Sequence, residues 1–461
     1  MTAFRRTRFN FGLQRAVDWS EELGKPLVIL EAVRTNYRWA CDRFHRFIVD
    51  GMIDNAKAVS KTNATYLAYV EQASGEGSDL VRTLGQNSCL IVSDDYPCFF
   101  HPAMYERIAR KWVTAIELVD SNGLMPMRAT DRTFTVAHSY RRFMQKEIPS
   151  HLTEFPEEEP LKRLKVKKLK SLPSKVLETW PTLCDGSDST KLSKLDMSTL
   201  PIDHSVKPTG ERGGEVEAGK VLERFLTKRL GDYSEARNEP EQAGSSWLSP
   251  YLHFGAMSAH EIFQKLTDKI GWDSSRLSKP NGKMNGYWNM GENVEAFVDQ
   301  LLTWREIGFN MCSHEKNFDR YESLPGWAQT TLEEHAKDPR EFVYTQEQFE
   351  QAETHDELWN AAQRQLVREG RIHNYLRMLW GKKILHWTAS PQEALKVMIH
   401  LNNKYALDGR DPNSYSGIFW VLGRYDRAWG PERPIYGKIR YMTSDSTRSK
   451  FHVKQYIKNY S

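Results

Sequence analysis

Residues 359–387 read WNAAQRQLVREGRIHNYLRMLWGKKILHW, and their pattern decides the fold of the second half of the chain. Apolar side chains recur at helical spacing over 359–369 and 375–387, which predicts two amphipathic helices. The same period recurs in four other segments, at 221–230, 259–270, 294–309 and 391–400. Strand patterns nearly vanish after residue 216, and ten of the fourteen tryptophans lie at or after Trp247. We therefore predict a helical, aromatic-rich domain over residues 216–461.

The first third of the chain alternates strand patterns with helical ones. Short apolar or β-branched runs at 26–31, 65–71, 88–93 and 113–120 alternate with helical patterns at 9–23, 37–58 and 102–111. This alternation predicts βαβ units and a parallel sheet, and hence a Rossmann-like α/β domain over residues 1–148. The carboxyl ends of such strands can line a ligand crevice, here at Asp94, Asp95, Asp120 and Ser121, although no glycine fingerprint accompanies them.

The composition changes over residues 149–215. Four acids within 154–159 precede a run, 161–175, that holds seven Lys/Arg and no acid, and Gly, Ser, Asp and Pro then dominate. This composition is typical of a long inter-domain linker. We assign its basic run no functional role.

Size and composition exclude several classes of protein. A chain of 461 residues favours two domains. No segment approaches the ~20 apolar residues that span a bilayer, so no membrane partner is expected. Five cysteines without a CxxC pair favour a reducing compartment over a disulfide framework, a zinc ribbon or another metal site. We expect a cytoplasmic monomer, nucleoid-associated in a prokaryote; an organelle presequence in the basic first 15 residues is the alternative to a first helix there.

Familiar catalytic motifs are missing, but the C-terminus carries a distinctive composition. GxGxxG at a strand–helix junction, GxxxxGK[ST], HExxH and GxSxG are all absent, which disfavours dehydrogenases, kinases and common hydrolases. Residues 417–461 hold nine Lys/Arg against three acids, together with nine aromatic residues. Cations for phosphates combined with flat rings for bases are typical of a nucleic-acid surface. A solvated basic tail with core aromatics is the alternative.

Six motifs in the second half occur in the order of a known family. They are SPYLHFG at 249–255, WREI at 304–307, THDELWNA at 354–361, LDGRDPN at 407–413, DRAWG at 426–430 and GKIRYM at 437–442. With them the chain resembles the photolyase/cryptochrome family, and most of all its class II cyclobutane pyrimidine dimer photolyases or a sister branch close to them. The N-terminal third has an α/β pattern like the family's antenna domain but lacks the usual class II opening motifs. The sequence therefore leaves open whether the protein binds an antenna chromophore or none.

The resemblance implies that the helical domain holds FAD, fully reduced when active. Hydroxyls and free amides before Pro250, at a predicted helix start, suit a pyrophosphate. The implied cofactor ligands are Tyr233, Ser245, Ser246, Trp247, Leu248, Ser249, Arg377, Asn402 and Asp408. Arg377 and Asp408 would form an ion pair beside the flavin ring, and Asn402 would lie near flavin N5. Ser414 occupies the place where class I members carry that asparagine, which favours the class II arrangement.

Three tryptophans match the electron-transfer triad of class II enzymes. Trp380 and Trp387 are seven residues apart on one predicted helix and so share a face, and Trp359 lies on the preceding helix. Indoles in near contact could carry an electron from the surface to a buried flavin. Core packing is the alternative for such aromatic residues.

The resemblance also implies a lesion site and an activity. Glu306 would bind the dimer's bases, and the other implied DNA or lesion contacts are Arg237, Asn238, Met378, Trp420, Trp429 and Arg440. Glu306 and Asn402 would be catalytic together with the triad. The expected activity is light-driven repair of cyclobutane pyrimidine dimers in DNA, as a deoxyribodipyrimidine photolyase, by electron transfer from excited reduced FAD to a flipped-out dimer. The alternatives are a cryptochrome-like blue-light photoreceptor and a flavin-free nucleic-acid binding module.

Overall fold

A computed structural model describes residues 1–184, 186 and 188–461 in two compact units. Unit 1 comprises Met1–Pro126, His151–Glu223 and Trp247–Lys269. Unit 2 comprises Met127–Ser150, Arg224–Ser246 and Ile270–Ser461. The chain thus passes between the units more than once. One division, between Ser150 and His151, lies close to residue 148, and another, between Glu223 and Arg224, lies eight residues beyond 215.

The described elements in the first part of the chain are the following. The strands are β1 (Val28–Val33), β2 (Thr65–Val70), β3 (Ile91–Asp94) and β4 (Ile116–Val119). The helices up to residue 270 are α1 (Phe11–Leu23), α2 (Asp42–Val59), α3 (Ser78–Gln86), α4 (His101–Lys111), α5 (Ala137–His151), α6 (Ser174–Thr179), α7 (Thr190–Ser193), α8 (Glu215–Lys228), α9 (Tyr233–Ala236), α10 (Ser249–His253) and α11 (Ala259–Ile270).

Helices make up the regular structure of the remaining residues. They are α12 (Glu292–Val298), α13 (Arg305–His314), α14 (Gly326–Glu334), α15 (Gln346–Glu350), α16 (Glu357–Glu369), α17 (Asn374–Trp387), α18 (Pro391–Tyr405), α19 (Pro412–Val421), α20 (Ser444–Lys450) and α21 (Lys454–Asn459). The helical prediction after residue 216 is therefore confirmed, and the predicted helix 259–270 has the bounds of α11.

In unit 1 the predicted strands form but do not join into one sheet. β1 pairs with β2 and β3 with β4, both in parallel, as separate two-stranded sheets among the described residues. The crevice predicted at the strand ends is filled by the chain itself, since Asp94 accepts hydrogen bonds from the backbone N–H groups of Thr2 and Ala3, both at 2.7 Å. Ser121 likewise accepts from the N–H of Phe11, at 3.0 Å.

The segment predicted as a linker contributes to the core of unit 1. Leu161 and Leu164 are buried in a cluster with residues of α1, and Val176 and Trp180 are buried against β2. Leu161 and Leu164 are interspersed among the lysines of the basic run, where composition alone conceals them. The described residues of 151–223 therefore belong to a compact unit because they bury apolar surface against it.

A π-helix, Asp299–Trp304, joins α12 to α13. The sequence predicts one regular helix over 294–309, but the extra residue in a π-turn leaves no mark in a 3.6-residue apolar pattern. Such turns occur often at functional sites, because they re-aim the side chains that follow. Here the next turn carries Glu306.

Helices α13 and α19 approach each other closely at Gly308. A Cβ built on Gly308 would lie 2.6 Å from the carbonyl oxygen of Pro412, in the first turn of α19. We expect Gly308→Ala to destabilise the protein by roughly 1–3 kcal/mol, the usual cost of overpacking. Gly219→Ala in α8 is the control, because a Cβ there meets nothing within 4 Å. Gly219→Ala should stabilise the protein by about 0.5–1 kcal/mol, because alanine restricts the unfolded chain more than glycine does. Chemical denaturation measures both, and equal stability of Gly308→Ala and the wild type would contradict the close approach.

The described residues lack the features of a membrane span and of a metal cluster. None of the helices within the described ranges is long and apolar enough to cross a lipid bilayer. The same residues contain no group of three or more His, Cys, Asp or Glu side chains arranged to hold a metal ion.

Candidate functional site

Arg377 and Asp408 form an ion pair at the end of α17. Arg377 Nη2 lies 3.0 Å from Asp408 Oδ1, and Nη1 lies 3.5 Å from Oδ2. Asp408 belongs to the loop between α18 and α19. The two side chains stay 26% and 17% exposed although the helices around them are largely buried. The predicted pair therefore forms, and both of its side chains remain partly exposed.

One face of α19, which packs against α17, is partly exposed as well. Asn413 and Gly417 are exposed and Trp420 is half-buried, at a spacing of three to four residues that places them on one side of the helix. A Cβ built on Gly417 would meet nothing within 4 Å. Met378, next to Arg377 on α17, is half-buried as well. Open space thus borders α17 and α19.

His373, at the N-terminal end of α17, has polar atoms that the protein does not satisfy. Burial lowers the pKa of His373 to about 4, so the ring is neutral. The backbone and charge of Arg237 act on the ring from nearby. Among the described residues, however, no group forms a well-directed hydrogen bond with either buried ring nitrogen. Buried polar atoms are rarely left without a partner, so a ligand or water is expected beside them.

These observations fit the cofactor that the family resemblance implies. FAD presents a flat apolar ring system with polar edges, and a polar chain of phosphates and ribityl hydroxyls. The structure offers open space beside Gly417, a partly exposed charged pair on α17, and ring nitrogens of His373 that lack a well-directed hydrogen bond. The residues present therefore suit FAD.

Asn402 lies in the last turns of α18 and is 3% exposed. Its Nδ2 donates to Ser414 Oγ at 2.5 Å and faces Asn403 Oδ1 at 3.4 Å. Asn402 and Ser414 are thus in direct contact. These are the two positions by which the sequence analysis distinguishes the class II arrangement from that of class I.

The three predicted tryptophans are in contact and buried. The ring centroids of Trp359 and Trp380 are 6.5 Å apart with their planes 3° from parallel, and those of Trp359 and Trp387 are 6.2 Å apart at 72°. Trp359 Nε1 donates to the carbonyl oxygen of Trp380 at 3.0 Å, and Trp380 Nε1 donates to Gln363 Oε1 at 2.9 Å. The spatial order is therefore Trp380, Trp359, Trp387. Trp380 is one turn from Arg377 on α17, which places the inner end of this series beside the ion pair.

Residues to which the sequence analysis assigns no role surround Trp387. Tyr344 and His355 lie with ring centroids 5.8 Å and 4.9 Å from that of Trp387. The Tyr344 hydroxyl and His355 Nδ1 share a hydrogen bond of 2.7 Å. Lys383 Nζ is 5.1 Å from the Trp387 ring centroid. Only His355 lies within a quoted motif, so sequence offered no signal for the others.

Arg440 brings the two C-terminal tryptophans together. Its guanidinium carbon lies 4.2 Å from the Trp429 ring centroid and 5.6 Å from that of Trp420. Asp426 accepts hydrogen bonds from Arg440 Nε at 2.8 Å and from Trp429 Nε1 at 3.1 Å. Although burial raises it, these bonds and that of the Arg427 backbone hold the pKa of Asp426 below its usual range. An ion pair thus fixes Arg440 against both indoles.

Lys382 is fully buried beneath Trp420. Its Nζ lies 4.9 Å from the Trp420 ring centroid and donates to the carbonyl oxygen of Val421 at 2.6 Å. Burial lowers the pKa of Lys382 to about 7. Neither Lys382 nor Asp426 has a predicted role, although Asp426 lies inside the DRAWG motif.

For the other residues predicted to bind the lesion, the structure shows which neighbours surround Glu306, Arg237 and Asn238. Glu306 is 3% exposed on α13, which packs against the α19 that carries Trp420. Burial, and then the charge of Glu306, raise the pKa of Tyr140 well above its usual range, which locates Tyr140 near that carboxylate. Arg237 lies with its guanidinium carbon 5.7 Å from the Tyr233 ring centroid. Asn238 Nδ2 donates to the carbonyl oxygen of Ser234 at 3.4 Å, within its own turn.

The predicted phosphate ligands are Tyr233 and residues 245–249. Tyr233, Ser245 and Ser246 belong to unit 2, whereas 247–249 belong to unit 1. Arg229 Nη1 donates to the carbonyl oxygen of Ser245 at 3.1 Å. Trp247 adopts a left-handed backbone, with φ 63°. The expected helix start is α10, of five residues, in which no side chain caps the N-terminus.

Comparisons with known proteins point to one family. No family model matches the chain. The deoxyribodipyrimidine photo-lyase of Methanothermobacter thermautotrophicus is 30% identical over 99% of this chain and 92% of the relative. The photo-lyase of Arabidopsis thaliana is 38% identical over 74% of this chain and 64% of the relative, and that of Potorous tridactylus is 33% identical over 80% and 64%. The chain thus spans slightly less than two thirds of these last two relatives.

A solved structure agrees at the level of the fold. A bacterial class III photolyase from Agrobacterium tumefaciens matches with a TM-score of 0.69, over 99% of this chain and 84% of that one, at 15% identity. Together with a relative 30% identical along nearly the whole of both chains, this identifies the family. The chain belongs to the photolyase/cryptochrome family.

Proposed function

We propose that this protein is a deoxyribodipyrimidine photolyase that repairs cyclobutane pyrimidine dimers in DNA with light. The carrying observation is the buried series Trp380–Trp359–Trp387, whose inner member lies one turn from the Arg377–Asp408 pair. We place the cleft for the flavin beside this pair. A series of indoles that ends beside a partly exposed charged pair suits electron transfer better than it suits core packing alone. The names of the relatives support the same activity.

Bound FAD, fully reduced, would absorb near-ultraviolet or blue light and supply the electron that splits the dimer. Arg377 and Asp408 would hold the ring system from the cleft wall, and Asn402 would meet its edge. Tyr233 and residues 245–249 would bind the phosphates and ribityl chain. The three tryptophans would return the cofactor to its reduced state by passing an electron inward.

The lesion would be a dimer flipped out of the duplex into the cleft. Trp420 and Met378 would pack against it, and Glu306 would hydrogen-bond its bases. Trp429, fixed by Arg440 and Asp426, would fill the vacated stack. Arg237 and Asn238 would contact the flipped lesion or its phosphates.

The finer assignments are part of the same proposal. We propose a class II enzyme or a sister branch, acting as a cytoplasmic monomer, with the antenna chromophore left open. All five cysteines are free thiols, and all but Cys89 are buried, which suits a reducing compartment. A photoreceptor would share the cofactor and the tryptophans, so repair itself must be measured.

The test is incubation of the purified protein with a dimer-containing oligonucleotide in light and in darkness. We expect restored thymines in light alone, and one FAD per chain released on denaturation. Flavin without repair would favour the photoreceptor. A protein that holds no flavin even after reconstitution would contradict the whole proposal.

A further inference from the structure

We propose that Lys167, Lys168 and Lys170 of unit 1 form a second phosphate-binding surface, which contacts duplex DNA away from the lesion. Residues 167–170 are called the lysine strip below. The inference rests on the proposed function, because it takes DNA as the substrate. The composition of this run is typical of a linker, but the structure places residues 151–223 in a compact unit.

Apolar side chains hold the lysine strip at both ends. At its start, Val166 packs against the buried cluster that contains Leu164. Just beyond its end, Leu172 packs against a second buried cluster, which contains Trp180. Both contacts remove apolar surface from water, so the strip is tethered to unit 1 at two points.

Hydrogen bonds fix the backbone immediately before the strip. Glu21, on α1, accepts from the backbone N–H groups of Lys165 at 2.5 Å and of Val166 at 2.9 Å. Asn63 Nδ2 donates to the carbonyl oxygen of Leu164 at 3.0 Å. The N–H groups of Val166 and Lys165 hold the pKa of Glu21 below its usual range, so Glu21 accepts as a carboxylate at neutral pH. The lysines therefore extend from a held backbone and not from a free linker.

The charges of the strip are exposed and are not neutralised by the protein. Lys167, Lys168 and Lys170 are exposed, whereas Leu169 between them is half-buried. Throughout the part of the chain that the structure describes, no carboxylate forms an ion pair with these three ammonium groups. Neighbouring like charges repel one another, and a bound anion relieves that repulsion.

Other cations of the same run differ in this respect. Lys162 pairs with Glu159, and Arg163 pairs with Asp18 at 2.5 Å and with Glu157 at 2.8 Å. The acids that precede the run thus neutralise its beginning and leave the strip itself positively charged.

An open groove of about 530 Å³ lies against the strip. It is lined by Gly24, Pro26 and residues 166–171. This lining contains three lysines, no acid and no aromatic residue. The groove thus offers cations to an anionic ligand and offers no ring for a base to stack on.

This chemistry fits the DNA backbone better than it fits other partners. Phosphates follow one another at ~3.4 Å along the axis of each strand, so neighbouring ammonium groups can each meet one. Phosphate contacts carry no base sequence, and recognition of bases by stacking requires rings that the strip lacks. The centre of a protein–protein interface is usually depleted of lysine, which disfavours an acidic protein.

The experiment measures, in darkness, how the affinity of the FAD-loaded full chain for a long undamaged duplex depends on salt. The triple variant Lys167→Gln, Lys168→Gln and Lys170→Gln should reduce the slope of log affinity against log salt concentration by about 2–3, because each phosphate contact contributes ~0.9. Affinity for dimer-containing duplex should fall by the same factor, since phosphate contacts do not read the lesion. A wild-type content of FAD shows that the variant is folded.

The matched control removes the same charge from three exposed cations of unit 1 that already pair with a carboxylate: Arg82→Gln, Lys162→Gln and Lys220→Gln. The control should change the slope little. An unchanged slope in the strip variant, or equal changes in both triple variants, would overturn the inference.

A second measurement distinguishes DNA from an anionic membrane. Both triple variants are tested for binding to vesicles that contain phosphatidylserine, and we expect neither to differ from the wild type. Weaker vesicle binding by the strip variant, together with an unchanged salt slope on DNA, would assign the strip to a membrane and overturn the inference. Absence of repair by the wild type in light would instead count against the proposed function, because the salt slope is measured without repair.

Discussion

Trp380→Phe should abolish light-driven reduction of oxidised FAD and leave repair by chemically pre-reduced enzyme intact. Trp380 is the member of the indole series nearest to the Arg377–Asp408 pair, and its ring is stacked on Trp359 with the planes 3° from parallel. A phenyl ring is much harder to oxidise than an indole, so the path is interrupted at its inner end. Donation from reduced flavin to a dimer does not use this path.

The measurement is the decay of oxidised-flavin absorbance under blue light with an external reductant, followed by a repair assay after chemical reduction. Trp272→Phe is a matched control. Trp272 lies in the same unit, is buried, and donates to the carbonyl oxygen of Trp288 as Trp359 does to that of Trp380. If Trp380→Phe were photoreduced at the wild-type rate, the three tryptophans would have only a structural role.

Trp420→Ala and Trp429→Ala should each lower affinity for dimer-containing duplex by about tenfold or more, because base–aromatic stacking is worth ~1–3 kcal/mol per base. Affinity for undamaged duplex should change little, since neither ring is needed to meet the phosphates. Trp420→Phe, which keeps a flat ring in the cleft, should retain part of the affinity. Paired binding measurements on damaged and undamaged duplex give both numbers.

Arg440→Ala should behave like the tryptophan variants. Asp426 neutralises Arg440, and the guanidinium lies against both indoles, so its loss frees Trp429 to move. Its effect should therefore fall mainly on the damaged duplex, whereas a residue that bound only phosphates would weaken both. If the tryptophan variants lost both affinities equally, or neither, the lesion pocket would be misassigned.

Periodicity predicted the elements well where one face of each is buried. The apolar pattern of α11 gave its bounds, and the seven-residue spacing of Trp380 and Trp387 placed both indoles against Trp359. The pattern could not reveal the π-turn before Glu306, since an inserted residue redirects the side chains that follow it without changing the apolar composition of the segment. The sequence pattern also placed Leu161 and Leu164 in a linker, because the lysines around them dominate the local composition.

The sequence predicted which residues form the site, but it did not predict most of the contacts between them. The family motifs supplied Arg377, Asp408 and Asn402, and the ion pair forms. The contacts of Arg440 with Asp426, and of Lys382 with the ring of Trp420, join residues that do not share one helix or strand. Such contacts depend on how separate elements pack, which a single sequence does not encode in any local pattern.

The buried Lys382 makes the protein's folding a proton-linked equilibrium. Burial lowers its pKa from 10.5 to about 7, so between these values the unfolded chain binds a proton that the folded chain lacks. Unfolding near pH 9 must then take up a proton at this position. By linkage, the free energy of unfolding rises with pH across that window as far as this residue determines it. The cost of burying an ammonium is fully present below pH 7 and is relieved in mildly alkaline solution.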